Sequence, residues 1–456
     1  MDSPAPIPLQ DFLAAQAQAI AGACTRCGEC VRVCPVIPFG AAANVPADEV
    51  VGGIIDFLAG RGEPGEASDA WASTCNGCGL CIPVCPEGIN PRKMLVLASA
   101  RSASVESKTP ELFRRMSRAI RIMVAMQLVP AEFRRVFVPG RPRPVPIVFY
   151  LGCNALRTPH LLFNSMTVLD ALEAEYEVVG GPSSCCGVIA TKWEGQVETG
   201  ARVTASTINR FEGFSPEKVL NWCPTCQLHL GETLEGHRKT SYDFDHLTEY
   251  LVSRLDALRQ KFVTPIRRRV IVHAHVGRAD ICRNVDLLLR AIPELEIVET
   301  VFESGYTCGG SGCGKAPELA AREHGELVAR AHATGADVLV TLYHGCHATF
   351  VGAEAAGKFR VLNYTDLLVE ALGGVAHADR LKEFRLFDDW QMIVDEGLPY
   401  LQANGLDIDP AWLKRHGPAI FASLEFKGQL DCFEDASHQV HRHDVAGKGD
   451  AHAGLA

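Results

Sequence analysis

The chain has 456 residues, 47% of them hydrophobic, with a formal net charge of −10 and a pI near 5.9. At roughly 100–200 residues per domain that length calls for about three domains, and the acidic balance argues against nucleic acid as a partner. No apolar run reaches the roughly 18 residues of a membrane span. The start MDSPAPIPLQDFLAAQ has no basic stretch followed by an apolar one, so the 18 cysteines read as reduced thiols used as ligands. The expected location is cytoplasmic, with any contact to the inner face of a membrane made peripherally through a partner.

Residues 1–110 carry two near-identical motifs. CTRCGECVRVCP holds Cys24, Cys27, Cys30 and Cys34, and CNGCGLCIPVCP holds Cys75, Cys78, Cys81 and Cys85. Each is the C-x2-C-x2-C-x3-C-P run of two-cluster ferredoxins, in which three thiolates wrap one cluster and the fourth crosses to the other. The expected ligand sets of two [4Fe–4S] clusters are therefore Cys24, Cys27, Cys30 and Cys85, and Cys75, Cys78, Cys81 and Cys34. Zinc and eight idle core cysteines are the weaker alternatives, because the crossed fourth cysteine and its proline suit iron–sulfur. Between the motifs, DEVVGGIIDFLAG has helical apolar spacing, which predicts a helical ferredoxin-like domain.

A basic connector follows over residues 111–144. From Arg101 to Arg143 there are ten Lys or Arg against three Glu, and LFRRMSRAIRIMVAMQLVPAEFRRVF predicts an amphipathic helix broken near Pro130. Its basic face either docks on an acidic partner or membrane surface or packs against the chain itself.

From residue 145 short apolar strands alternate with helices, the pattern of an α/β layer. VPIVFYLG leads to Cys153, YEVVG to Cys185 and Cys186 in a CCG, and KVLNW to Cys223 and Cys226 in a CPTC. Loops at the carboxyl ends of neighbouring parallel strands converge, so these five thiols, far apart in sequence, can form one site. The first such domain spans 145–262. A second, 263–378, repeats the plan with RRVIVHAH, LEIVET and ADVLVTLYHGC, but its ligands have decayed. Ala274 is read at the place of Cys153, Thr307 at the first CCG cysteine and Tyr343 at the first of the final pair. Cys308 and Cys346 match, and Cys282 and Cys313 are extra thiols.

Two ferredoxin motifs followed by two cysteine-rich CCG domains resemble the heterodisulfide reductase-type iron–sulfur subunits, over roughly Ala21 to Gly374. The resemblance implies that Cys153, Cys185, Cys186, Cys223 and Cys226 bind a further [4Fe–4S] cluster of non-cubane type, where a disulfide or related sulfur substrate is reduced. It also implies partners: other redox subunits, either a flavoprotein or a membrane quinone or cytochrome subunit. The rival reading is an electron-transfer subunit without substrate chemistry, similar to those of glycolate, lactate or glycerol-3-phosphate dehydrogenases, passing electrons derived from a hydroxy acid.

Thiolate products need a proton, and His275, Tyr306, His344 and His347 are the candidate donors at the loop ends of the second repeat. Cys308, Cys313 and Cys346 suit a zinc ion or a smaller cluster, with His344 or His347 as fourth ligand, or no metal at all. Residues 379–456 read as a helical extension followed by a tail with little to bury. In that tail Cys432 is idle, and His438, His441, His443 and His452 either catch metal or lie in solvent. No GxGxxG fingerprint marks the chain as its own dinucleotide enzyme.

Overall fold

The computed structural model describes residues 7–106, 111–138, 140–306, 308, 316–387 and 389–421. Cys313, Cys432 and the tail histidines lie outside them.

The N-terminal region is helical. Helix Ala47–Leu58 buries Val50, Val51, Ile54, Ile55 and Leu58 on one side, and Asp48 and Glu49 in its first turn face the positive end of the helix dipole. Helices Leu9–Ala23, Glu66–Thr74 and Pro91–Glu106 complete the bundle. Buried Trp71 points its indole Nε1 at Cys34 Sγ, 3.3 Å away, which ties the helical core to the cysteine loops.

Two four-stranded parallel sheets follow. The first has β1 (Ile147–Gly152), β2 (Tyr176–Gly180), β3 (Lys218–Asn221) and β4 (Asp243–His246) in the order β2-β1-β3-β4. The second has β5 (Arg269–His275), β6 (Glu296–Glu303), β7 (Val338–Thr341) and β8 (Arg360–Asn363) in the matching order β6-β5-β7-β8. Every residue of β1 is buried, as expected of a central parallel strand covered on both faces. The architecture is α+β: a helical ferredoxin-like region, then two α/β domains related by repeat.

The edge strands β4 and β8 lie outside the expected set: DFDH in β4 carries no apolar alternation, whereas RVLN in β8 nearly repeats the KVLN of β3. Their equivalence appears in the turn after each. His246 Nδ1 accepts from Thr248 N at 3.3 Å, and Asn363 Oδ1 accepts from Thr365 N at 3.1 Å. Both are helix N-caps built by a side chain just past an edge strand.

The sheets meet near their carboxyl edges. Trp222 after β3 stacks on Tyr364 after β8, with ring centroids 5.9 Å apart. Asn164 Nδ2 donates to Asp366 Oδ1 at 2.6 Å, and Asn164 Oδ1 accepts from His377 N at 2.9 Å. Helices Arg380–Phe387, Trp390–Ala403 and Pro410–Phe421 form the extension. Asn404 Nδ2 fastens it to the connector by donating to Ala125 O at 3.0 Å and Leu128 O at 2.7 Å. The connector helix Glu111–Ala125 accordingly buries Ile120, Met123 and Val124 against its own chain. Among the described residues no helix is long and apolar enough to cross a membrane.

Two histidines at this meeting of domains are neutral for a physical reason. His246 accepts at Nδ1 and donates Nε2–H to Trp222 O at 3.3 Å, a pattern only the neutral ring can make. Burial pushes it down to about 3. Burial likewise lowers His160 to about 3, outweighing Asp379, whose other oxygen is already held by His347 Nε2 at 2.6 Å. A histidine depressed in the fold takes its proton first in the unfolded chain, so its stabilising contribution is complete above the unfolded value of about 6.5 and shrinks as pH falls toward the folded one. Thermal unfolding followed from about pH 7 to about pH 5 should show a falling midpoint, each histidine accounting for about 2 kcal/mol of lost stability at the lower pH. His246→Gln should flatten that slope while lowering the midpoint at neutral pH.

Candidate functional site

The cysteine loops of the helical region form two adjacent groups. Cys24, Cys27, Cys30 and Cys85 line one cavity, three thiols from the first motif and the last from the second. Cys34, Cys75, Cys78 and Cys81 gather beside it, each of the last two in electrostatic contact with Cys34 and Cys75. Burial, with neighbouring thiols adding to it, pushes Cys30 and Cys78 up to about 12. Thiols placed like this do not ionise together unless a cation compensates them, so both groups suit iron–sulfur clusters by donor chemistry.

The second group faces the α/β domains. Asn76 O accepts from Tyr306 N at 3.0 Å, so the Cys75–Cys78 loop is clipped to the turn after β6. Gly77 permits this approach: its φ is +74°, and a Cβ there would lie 3.0 Å from Tyr306 Cβ. Arg92 donates through Nη1 to Gly77 O at 2.9 Å and forms a half-buried ion pair with Glu232, in the turn that follows Cys226. Tyr306, a candidate proton donor by sequence, thus has a structural post: its hydroxyl is held by Arg278 Nη1 at 3.2 Å.

The first α/β domain brings all five expected thiols together. Cys153 follows β1, Cys185 and Cys186 follow β2, and Cys223 and Cys226 follow β3, with none more than 5% exposed. Cys153 Sγ lies 3.7 Å from Cys185 Sγ, and donation from Cys153 lowers Cys185 while raising Cys153. Thr204 and Thr207 hold the carbonyls of Cys186 and Cys185 at 2.8 and 2.7 Å. Tyr150 Oη donates to Ser184 O at 2.9 Å and stands 3.6 Å from Cys226 Sγ. The space among the thiols depends on Gly152, whose φ is +72°; an added Cβ would meet Cys223 Cβ at 3.1 Å and Cys226 Sγ at 3.2 Å. His229 is buried here with neither ring nitrogen hydrogen-bonded, and the sequence reading missed it because it lies beyond the CPTC motif.

The second domain collects a different set. His273 and His275 from β5, with Cys308 and Cys346, place one donor atom each within 4.8 Å of all the others, every residue buried. Thus His275 and His273, and not the expected His344 or His347, lie beside Cys308 and Cys346. His344 Nε2 turns instead to Asn154 Nδ2, 3.4 Å away in the first domain, and His347 engages Asp379. Cys282 packs under β5, with His275 N 3.3 Å from its sulfur.

Register also corrects the repeat. Ile147 pairs with Lys218 in the first sheet and Val270 with Val338 in the second, and Cys226 and Cys346 lie at the same offset from those partners. Aligned that way, Val276 rather than Ala274 takes the place of Cys153, while His273 and His275 take the places of Tyr150 and Gly152. Period-two alternation conceals such a slip, because a shift of two residues keeps every side chain on its face.

Comparison with known proteins agrees with this layout. The 4Fe-4S dicluster domain family matches residues 19–89, and the cysteine-rich domain (CCG) family matches 147–231 and 273–351. The chain resembles the heterodisulfide reductase-type iron–sulfur subunits in its domain order. It is 25% identical to a subunit of the dihydromethanophenazine:CoB–CoM heterodisulfide reductase of Methanosarcina barkeri over 393 residues, 77% of this chain and 94% of that protein. It is 24% identical to a subunit of the fumarate reductase (CoM/CoB) of Methanothermobacter marburgensis over 388 residues, 76% and 71% of the two chains. It is 25% identical to the probable glycolate oxidase iron–sulfur subunit of Bacillus subtilis over 430 residues, 77% and 94% of the two. By name all three belong to oxidoreductases and the last is an iron–sulfur subunit; this chain is similar to them over about three-quarters of its length.

Gly152→Ala tests the cradle. The substitution should lower iron bound per chain by about four, one [4Fe–4S] equivalent, and leave the low-temperature EPR of the ferredoxin-like region in place; undiminished iron would show that the glycine does not keep space for a cluster.

Proposed function

We propose that this chain is the iron–sulfur subunit of a larger oxidoreductase and that a disulfide or related sulfur substrate is reduced at its first CCG site. Clusters held by Cys24, Cys27, Cys30 and Cys85, by Cys34, Cys75, Cys78 and Cys81, and by Cys153, Cys185, Cys186, Cys223 and Cys226 supply one-electron transfer and sulfur-bound iron. The observation that carries the reading is the first CCG site itself: five buried thiols on three strand ends, around a space kept by Gly152, in a domain linked to the cysteine loops of the helical region.

The chain's own residues serve this chemistry in distinct ways. Arg92, paired with Glu232 and bonded to Gly77 O, fixes the Cys75–Cys78 loop against the turn after Cys226. Thr204 and Thr207 hold the CCG carbonyls. His344 touches Asn154, the residue after Cys153, and is lowered to about 4 by burial, so at neutral pH it is an uncharged hydrogen-bonding group at the edge of the site. Of the expected proton donors it is the one in contact with the Cys153 loop.

The second reading, electron transfer without substrate chemistry, is supported by that same burial: none of the five thiols is more than 5% exposed. The glycolate oxidase relative is an iron–sulfur subunit by name. The partner then differs: a flavoprotein dehydrogenase for transfer alone, a sulfur carrier or membrane redox subunit for the reductase.

The deciding experiment uses the full chain purified without oxygen. About twelve irons per chain are expected, together with disulfide-dependent oxidation of a reduced dye. Cys185→Ser should lower iron by about four and abolish the disulfide reaction, with the ferredoxin-type EPR retained. Full disulfide activity in that variant overturns the reductase reading, and wild-type protein that exchanges electrons with dyes yet is inert to disulfides supports the second.

A further inference from the structure

We propose that the second CCG domain binds one divalent ion of the zinc class at His273, His275, Cys308 and Cys346, a mononuclear site where its sister domain gathers five thiols.

The donor set is two imidazoles and two thiols, which suits a tetrahedral ion of borderline softness. Its spacing suits a single ion. With zinc–sulfur and zinc–nitrogen bonds of about 2.3 and 2.1 Å, the sulfur–nitrogen edge of a tetrahedron is about 3.6 Å. Cys308 Sγ lies 3.6 Å from His273 Nε2 and 3.6 Å from His275 Nε2. The His275 Nε2–Cys346 Sγ separation of 3.1 Å is that of a hydrogen-bonded pair and opens by about 0.5 Å on coordination. A two-iron cluster with imidazoles on one iron and thiolates on the other would instead set each sulfur a full cluster width from the nitrogens.

The sister site gives an independent reason. Gly152, whose missing side chain leaves room beside Cys223 and Cys226, is replaced in register by His275. The His275 ring lies along that of Tyr343, the counterpart of Cys223, with centroids 6.2 Å apart and planes 21° from parallel. An imidazole and a phenol thus fill the room that a four-iron cluster needs, and the imidazole brings a nitrogen ligand with it. Tyr150, a neighbour of Cys226, is replaced by His273, which supplies the second nitrogen.

The surroundings complete the site. Glu303, 4% exposed, places Oε2 3.1 Å from His273 Nε2 and 3.7 Å from Cys308 Sγ, and keeps His324 Nε2 as a partner at 3.4 Å when His273 turns to the ion. His273 Nδ1 and His275 Nδ1 have no hydrogen-bond partner. Four protein ligands close the coordination sphere, so the ion is structural. It would lock the end of β5, the turn after β6 and helix His344–Phe350 together, beneath the His344 contact to the first domain.

This proposal does not depend on the chemistry assigned to the first domain, and zinc and iron report on the two separately. The full chain, made with both metals in the medium and purified without oxygen, should carry about one zinc per chain. Cys346→Ser and His275→Ala should each lower zinc by more than about tenfold with iron unchanged, whereas Cys185→Ser should lower iron with zinc unchanged. Cobalt(II) taken up in place of zinc should show tetrahedral ligand-field and thiolate charge-transfer bands that vanish in Cys308→Ser. If His275→Ala does not fold, His275→Cys decides: retained zinc supports the site and lost zinc overturns it. Wild-type protein without zinc, zinc indifferent to Cys346→Ser, or iron falling in step with zinc in His275→Ala also overturns it.

Discussion

Thiols buried beside one another set the terms for this molecule. A buried thiolate is expensive, and a second one next to it raises the cost again. Cys81 is surrounded by Cys75, Cys78, Cys34 and, from the neighbouring group, Cys30, and all of these resist its ionisation. A metal that supplied the missing positive charge would couple cofactor binding to folding. The crossed motifs, the parallel sheets that bring strand ends together and the small residues near the sulfurs all serve that one requirement.

The duplicated sheet shows how little separates two kinds of site. Strand order and even the capping turn after the edge strand recur in both copies. Among the differences is the filling of one space. Gly152 leaves it open and thiols surround it; His275 closes it and offers nitrogen. Because interiors are close-packed, exchanging hydrogen for imidazole at one position changes which group the pocket can accept. The surrounding framework need not change.

Specific polar links join the domains in addition to a shared apolar core. Arg92 with Glu232 joins the helical region to the first α/β domain, and the Tyr306–Asn76 bond joins it to the second. Asn164 with Asp366 joins the two α/β domains to each other. Burial raises the Asp366 carboxyl to about 6, a sign that such links cost desolvation and hold position more than they add stability. A redox protein needs that fixity, since its centres work only when held at constant separation.

The ferredoxin motifs, the strands leading to Cys153, Cys185 and Cys223, and the loss of the matching thiols in the second copy were all legible in the residues, because ligand spacing and apolar periodicity are local properties of the chain. Strand β4, with the four residues DFDH, was not legible, being too short and polar to show a period. His273 and His275 were present in RRVIVHAH, but only the pairing of Val270 with Val338 reveals that they stand where Tyr150 and Gly152 stand, and only the fold sets them against Cys308 and Cys346. The sequence by itself determined which residues can bind metal. The tertiary structure decided which of them meet, because coordination depends on distances between strand ends that no local spacing records.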